Sequence, residues 1–351
     1  MGTGATDFIK IDEVRREIDS TYPNPGQDVE DELKVENNGY GHRLIGSAFE
    51  FLCDLVLYRR CTEVIHPWRR TWGESKLRWG DGEMPPVGVR KFDGWKWEDC
   101  ATVSNRSEWE EMKADRRGRV PQSAAKWTED EKSTKIAEQY IKTGMNTDGV
   151  VRAALIDAGW KPDEDVNSWI NREAFEEDVL DEMGTLFELL RDQEWAGGKT
   201  VFHKPTFGNH RHILAGEGDF IVDDLLVDIK TTEDGSFTNA FWRQLLIYYL
   251  LTDIQRVLYD LDGRTYEREP YDEKYPEINR VGIYYARYGE LQTVEMNDVI
   301  DDQEEYEEFR AWMVNRAIEE NRHAQHNYSD IRAELTEPYN YKKQKTLFDD
   351  Y

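Results

Sequence analysis

Apolar residues recur at helical spacing between His42 and Arg60, at Leu44, Ile45, Ala48, Phe49, Leu52, Leu55 and Val56, and predict a helix over that stretch. Upstream, residues 1–40 are acidic and contain Tyr22-Pro23-Asn24-Pro25-Gly26, the signature of a short helix followed by a mobile connector. Residues 62–128 scatter Trp68, Trp72, Trp79, Trp95, Trp97, Trp109 and Trp127 among Gly, Pro and charges, the texture of an irregular or short-stranded insertion. Helical periodicity returns at 129–143 and 148–158. It is strongest at 173–195, where Phe175, Val179, Met183, Leu186, Phe187 and Leu190 form one stripe.

From about residue 200 the pattern shortens to β-type runs: Val201-Phe202, Ile213-Leu214, Phe220-Ile221-Val222 and Leu225 to Ile229. An apolar helix follows at 238–253, then strand candidates Val281 to Tyr285 and Leu291 to Val294, then a charged amphipathic helix near 303–322. Helix, three antiparallel strands, helix and strand together predict an α/β core, a mixed central sheet flanked by helices. The chain divides into an acidic segment (1–40), a helical region with the Trp-rich insertion (41–172), the core (173–325) and a tail (326–351). The first helix of the second part is able to join the core.

Within the β-rich stretch, Asp223-Asp224 lies between two apolar runs and is the natural hairpin turn. Pairing then proceeds Val222 with Leu225, Ile221 with Leu226, Phe220 with Val227, and Asp219 with Asp228. Opposed residues share a face, about 4.5–5.5 Å apart at Cβ. Two carboxylates so placed repel unless something positive lies between them. Lys230 is two residues beyond Asp228 and falls on the same face, while Leu225, Val227 and Ile229 go to the core. Two acids and an amine form a hard-oxygen site for Mg²⁺ or Mn²⁺, ions that retain waters able to become nucleophiles. The lysine can orient such a water or stabilise charge on a phosphate. That chemistry suits phosphodiester hydrolysis; no Ser/His or Cys/His pairing points to acyl transfer.

Charge narrows the partners. The chain of 351 residues has 45 basic and 72 acidic side chains, a net charge of −27, and its basic set is 18 Lys and 27 Arg. A broadly basic nucleic-acid binder is excluded, although a local basic groove is not. Such a surface suits a halophilic source, because in molar salt the Debye length falls to about 3 Å and self-repulsion is screened. Cys53, Cys61 and Cys100 offer neither a disulfide framework nor a thiolate cluster. Without an eighteen-residue apolar run or an apolar signal core, a soluble cytoplasmic protein is expected.

The hairpin resembles the active-site hairpin of the PD-(D/E)XK nuclease superfamily, the restriction-endonuclease-like fold. Asp219 matches the first acid, Asp228 the second and Lys230 the lysine, with Glu217-Gly218 standing where a proline usually precedes the first acid. Gln244 and Tyr248, four apart on the next helix, match the Q-x-x-x-Y element of the RecB-type and phage-exonuclease-type branch. The likeness covers roughly residues 173–295 well and the N-terminal half weakly. It implies a metal-dependent DNA nuclease, of exonuclease or DNA-processing type, with the Ile229 carbonyl as a further metal ligand. Gln244 would hold the attacking water or the substrate backbone, and Tyr248 would support it. The superfamily usually adds a helix acid as Gly-x-x-x-(Glu/Asp/His). Both Gly46-Ser47-Ala48-Phe49-Glu50 and Gly184-Thr185-Leu186-Phe187-Glu188 fit, Glu50 being preferred and Glu188 its rival. A non-catalytic nucleic-acid-binding or assembly protein that kept the fold is the alternative.

Three further features of the chain carry weaker signals. His203, His210 and His212 lack cysteine partners and make a poor zinc set. The Trp- and Arg-bearing insertion can stack bases and contact phosphates, or form a satellite core. The tail Gln344-Lys345-Thr346-Leu347-Phe348-Asp349-Asp350-Tyr351 resembles a sliding-clamp-binding box in which Gln344, Leu347, Phe348 and Tyr351 dock, with Asp350 at a usual aromatic position.

Overall fold

The computed structural model describes residues 4–61, 63–65, 87–92, 97–103, 131–160, 175–207, 214, 216–265, 275–320 and 335–336. Most of the Trp-rich stretch, His210, His212 and the clamp-box residues lie outside them. Helices α1 (Ala5–Phe8), α2 (Asp12–Thr21) and α3 (His42–Arg60) come first, then β1 (Glu63–Ile65), β2 (Val87–Phe92) and β3 (Trp97–Val103). Next are α4 (Glu131–Thr143), α5 (Thr147–Asp157), α6 (Glu177–Arg191), β4 (Thr200–His203), β5 (Thr206–Phe207), β6 (Gly216–Glu217), β7 (Phe220–Val222) and β8 (Leu225–Lys230). The chain continues through α7 (Asn239–Thr265), β9 (Arg280–Tyr285), β10 (Glu290–Glu295), α8 (Met296–Val299) and α9 (Gln303–Glu320).

Six strands form one mixed sheet in the order β1-β4-β7-β8-β9-β10. Strands β4, β7 and β8 are consecutive antiparallel neighbours, whereas β1 joins β4 and β9 joins β8 in parallel. The β8–β9 step is parallel because α7 carries the chain back along the sheet, the crossover that a parallel pair needs. Period-2 alternation divides the strands between two cores. Phe202, Ile221, Leu226, Val281 and Ile283 pack with Trp242, Leu245 and Leu246 of α7 and with α2 and α9. Val201, Phe220, Val222, Leu225, Val227 and Tyr284 pack with α3, α5 and α6. Helix α3 is apolar on more than one side, with Phe51, Cys53 and Leu57 buried beside the expected stripe, because helices enclose it against the sheet.

Several elements differ from the sequence reading. Leu214 is buried but belongs to no strand; beside the main sheet lie two small ribbons, β2 with β3 and β5 with β6. Helix α7 runs on to Thr265, its middle turn tied to α9 where Asp253 accepts from the Tyr306 hydroxyl and Arg310. The connector after α2 is pinned rather than loose. Trp242 Nε1 donates to the Tyr22 carbonyl (2.7 Å), Asn24 Nδ2 to the Phe237 carbonyl (2.8 Å), and Phe237 N to Asp28 Oδ1 (2.7 Å). Gly26 lies so close to the Phe237 ring that a Cβ there would stand 2.1 Å from it, so the turn-rich run is a seam of close approach.

One buried ion pair ties these parts together. Arg287, after β9, donates to Glu182 Oε1 of α6, to the Thr231 carbonyl just beyond β8 (2.7 Å) and to the Val35 carbonyl of the connector (3.2 Å). The other oxygen of Glu182 accepts from Asn38 N (3.1 Å). Both side chains are sealed from solvent.

Candidate active site

The β7–β8 hairpin has the expected register: Val222 opposite Leu225, Ile221 opposite Leu226 and Phe220 opposite Val227. Asp223 turns the chain with a left-handed φ of 54°, which aspartate tolerates better than most residues. Its carboxylate also accepts from Thr200 N (2.8 Å), fixing the turn to β4. One step past the last pair, Asp219 lies across from Asp228, and its Oδ2 accepts from Ile229 N at 2.7 Å. The Lys230 carbonyl accepts from Ala286 N on the β9 side (2.9 Å). The backbone groups of Ile229 therefore aim the other way, toward Asp219.

Asp228 and Lys230 share the face opposite Leu225 and Val227. Lys230 Nζ sits 2.5 Å from Asp228 Oδ2, 3.5 Å from Gln244 Oε1 and 5.0 Å from the centre of the Phe241 ring. Gln244 reaches down from α7, its Nε2 3.1 Å from Asp228 Oδ1 and 3.2 Å from the Tyr248 hydroxyl. Its amide thus serves an acid of the site rather than a stray backbone group. Tyr248 packs on Phe207, ring centres 5.5 Å apart, and burial pushes its hydroxyl up to about 12, so it stays a neutral prop for Gln244.

The two helix glutamates separate cleanly. Gly46 lies over Thr231 at the end of β8, where a Cβ would stand 3.6 Å from the hydroxyl. One turn on, Glu50 comes close enough to the hairpin to disfavour ionisation of Asp219. Gly184 faces open space, and Glu188 is exposed and paired with Arg191 on its own helix (2.8 Å). Of the two, Glu50 is the one whose charge reaches the hairpin, although among the described residues no three acids come together as a metal-holding group.

Sequence reading missed Lys204, Asp54 and Tyr58 as members of this region. Lys204 Nζ is 3.2 Å from Glu50 Oε2. Burial alone would push its amine down, but Asp54, Glu50 and Glu217 outweigh that and hold it up, so it stays charged. His203 is buried, its Nε2 2.7 Å from Asp54 Oδ1 and its Nδ1 3.0 Å from the Tyr58 hydroxyl. The i,i+4 spacing of Glu50, Asp54 and Tyr58 along α3 was the available signal.

The site is short of positive charge. Crowding by protein pushes the Asp219 carboxyl up to about 8, the neighbouring Asp228 and Glu50 adding to the effect while the Ile229 N–H and Lys230 oppose it. Below the ordinary carboxyl value both folded and unfolded chains hold this proton. As pH rises from there to about 8 only the folded chain keeps it, so this group makes stability fall with rising pH. Metal-free protein in chelator should therefore be less stable at pH 8.5 than at pH 5.5 through Asp219. Urea unfolding at pH 5.5 and 8.5 checks this: Asp219→Asn should flatten the slope, and an equal slope in both proteins contradicts it.

Comparison with family models, curated proteins and solved structures finds no match for the chain. Among the described residues no helix is long and apolar enough to cross a membrane.

Proposed function

We propose that this chain is a divalent-metal-dependent nuclease that hydrolyses phosphodiester bonds in DNA, built on a restriction-endonuclease-like core. The observation that carries the reading is the meeting of Asp219, Asp228 and Lys230 at one end of the hairpin, with Glu50 of α3 near enough to disfavour ionisation of Asp219. The donor set is all hard oxygen (Asp219, Asp228, Glu50 and the Ile229 carbonyl), which fits Mg²⁺ or Mn²⁺. The crowded Asp219 carboxyl is a group that gains from a nearby cation. A bound ion of this kind supplies Lewis-acid neutralisation of phosphate charge and a more acidic water.

The remaining work falls to the chain. Asp228 and the Phe241 ring steer the Lys230 ammonium, which orients the attacking water and stabilises charge on the phosphate. Gln244 fixes the rotamer of Asp228, and Tyr248 fixes the Gln244 amide. The Gln/Tyr helix favours exonuclease or DNA-processing work, and docking of the C-terminal box on a sliding clamp would tether the acidic chain to DNA.

One observation favours the alternative, a nucleic-acid-binding or assembly role without catalysis. Among the described residues no three His, Cys, Asp or Glu side chains converge as a ready-made metal cage, and Asp228 and Glu50 are each paired with a lysine, Lys230 and Lys204. The deciding experiment is cleavage of single- and double-stranded DNA with Mg²⁺ or Mn²⁺ at molar salt. Metal-dependent cutting that Asp228→Ala and Lys230→Ala abolish supports the nuclease; binding without cutting supports the alternative.

A further inference from the structure

We infer that the acidic N-terminal segment belongs to the working site, with Asp19 of α2 as a positioning residue that, through Arg243, holds Gln244 on Asp228. The inference rests on the nuclease reading above and deepens it, by adding a remote element that sets the geometry of the same side chains.

The segment follows the chain on its way from Lys230 to Gln244, through the loop 231–238 and into the first turn of α7. Asn24 and Asp28 hold the two backbone groups of Phe237, Val29 N donates to the Gly235 carbonyl (2.9 Å), and Asn37 N donates to Glu233 Oε1 (2.7 Å). Strand β9 holds the same loop as well, the Tyr285 hydroxyl donating to the Ser236 carbonyl at 3.0 Å. The first turn of α7 leans on the N-terminal segment through two consecutive side chains. Trp242 Nε1 donates to the Tyr22 carbonyl (2.7 Å). Arg243 meets Asp19 at two points, Nε to Oδ1 at 2.7 Å and Nη2 to Oδ2 at 2.5 Å.

Helical geometry turns these contacts into the placement of Gln244. Successive side chains lie about 100° apart around the axis, so 242 and 243 face α2 and the connector while 244 comes round to the hairpin. There its Nε2 lies 3.1 Å from Asp228 Oδ1. A side-chain end about 6 Å from the axis moves about 1 Å when the helix turns by about 10°. That is enough to carry this contact beyond hydrogen-bond range. A two-point guanidinium–carboxylate contact fixes direction as well as distance, which is what such a helix turn requires. The base of the contact is firm. Val14 and Ile18 of α2 are buried in the core shared with α7 and α9, and Glu13 accepts from Arg316 of α9 at 3.1 Å. Asp19 itself is 39% exposed, and a pair so placed contributes little to folding stability, so its removal leaves the fold intact for a test.

Two readouts on the full chain test this. The first is the Gln244 side-chain amide in the NMR spectrum of protein without metal or DNA, assigned by its loss in Gln244→Ala. Asp19→Ala should shift that amide toward solvent-exposed values, and Asp19→Glu should return most of the shift. The second is the single-turnover rate constant for a short DNA strand at saturating Mn²⁺. Asp19→Ala should lower it about 3- to 10-fold, the cost of a misplaced group remote from the chemistry. In a Gln244→Ala background the same change should cost less than about 2-fold, because both act through one contact. An amide unmoved by Asp19→Ala overturns the proposal. So does a rate loss as large in the Gln244→Ala background as in wild type, the mark of a merely structural role. Wild-type protein that never cuts DNA overturns the nuclease reading, and the amide then decides for or against Asp19 by itself.

Discussion

Arg287→Ala is expected to lose about 3–5 kcal/mol of folding stability, a large share of the 5–15 kcal/mol that a typical domain possesses. The substitution strands the Glu182 carboxylate in a place sealed from water, with Asn38 N the remaining donor to it among the described residues. It also frees the carbonyls of Thr231 and Val35, which belong to the sheet end and the connector. Glu182→Ala should cost a similar amount by stranding the guanidinium. The paired change Glu182→Leu with Arg287→Met should recover much of the loss, because desolvating an ion pair largely offsets its attraction. Urea midpoints of the four proteins check this. Single variants that unfold at the wild-type midpoint would show that the pair contributes little.

The second large effect concerns Lys230 and Asp228. Lys230→Ala should lower the cleavage rate constant about 10²- to 10³-fold, the usual cost of removing one preorganised group that stabilises transition-state charge. Asp228→Asn should be at least as severe, since in the proposed nuclease it removes an oxygen ligand and also releases Lys230 from its 2.5 Å contact. Gln244→Ala should fall between these variants and wild type, because its amide positions Asp228 without holding the ion. Single-turnover rates at saturating Mn²⁺ separate the three. A Lys230→Ala enzyme as fast as wild type would mean that this amine touches neither water nor phosphate.

The legible part of the site was the part set by short-range pattern. Phe220-Ile221-Val222 and Leu225-Leu226-Val227 flank an Asp-Asp turn, and period-2 alternation then assigns every face of the hairpin. The register therefore followed from the sequence, and so did the common face of Asp228 and Lys230. Gln244 came from the resemblance of Gln244 and Tyr248 to the Q-x-x-x-Y element, not from the helix pattern, which leaves a buried glutamine's role open. The choice between Glu50 and Glu188 was not legible from spacing. Both follow a Gly-x-x-x-Glu pattern, and only tertiary packing puts Gly46 against Thr231 while leaving Gly184 in open space. The Arg287–Glu182 pair joins residues 105 apart and leaves no local trace. Lys204 was hidden for another reason: a left-handed lysine carries no compositional signal, and strand alternation read blindly sends it to the wrong face.

The loose connector was misread because Pro23, Pro25 and Gly26 mark turns but say nothing of whether those turns are anchored. Here Tyr22 and Val35 are buried, and the backbone between them finds donors and acceptors around Phe237 and Gly235. Turn chemistry reports local shape; burial of the flanking apolar residues decides mobility.

The most direct measurement is a crystal grown with Mn²⁺ and read by anomalous scattering at the manganese edge. The account predicts one peak in contact with Asp219 and Asp228, Glu50 turned toward it, and Lys204 and Lys230 moved off their carboxylates. A protein that cuts DNA while its manganese binds elsewhere, or one whose Asp228 and Glu50 stay clasped by Lys230 and Lys204 at saturating ion, would contradict it.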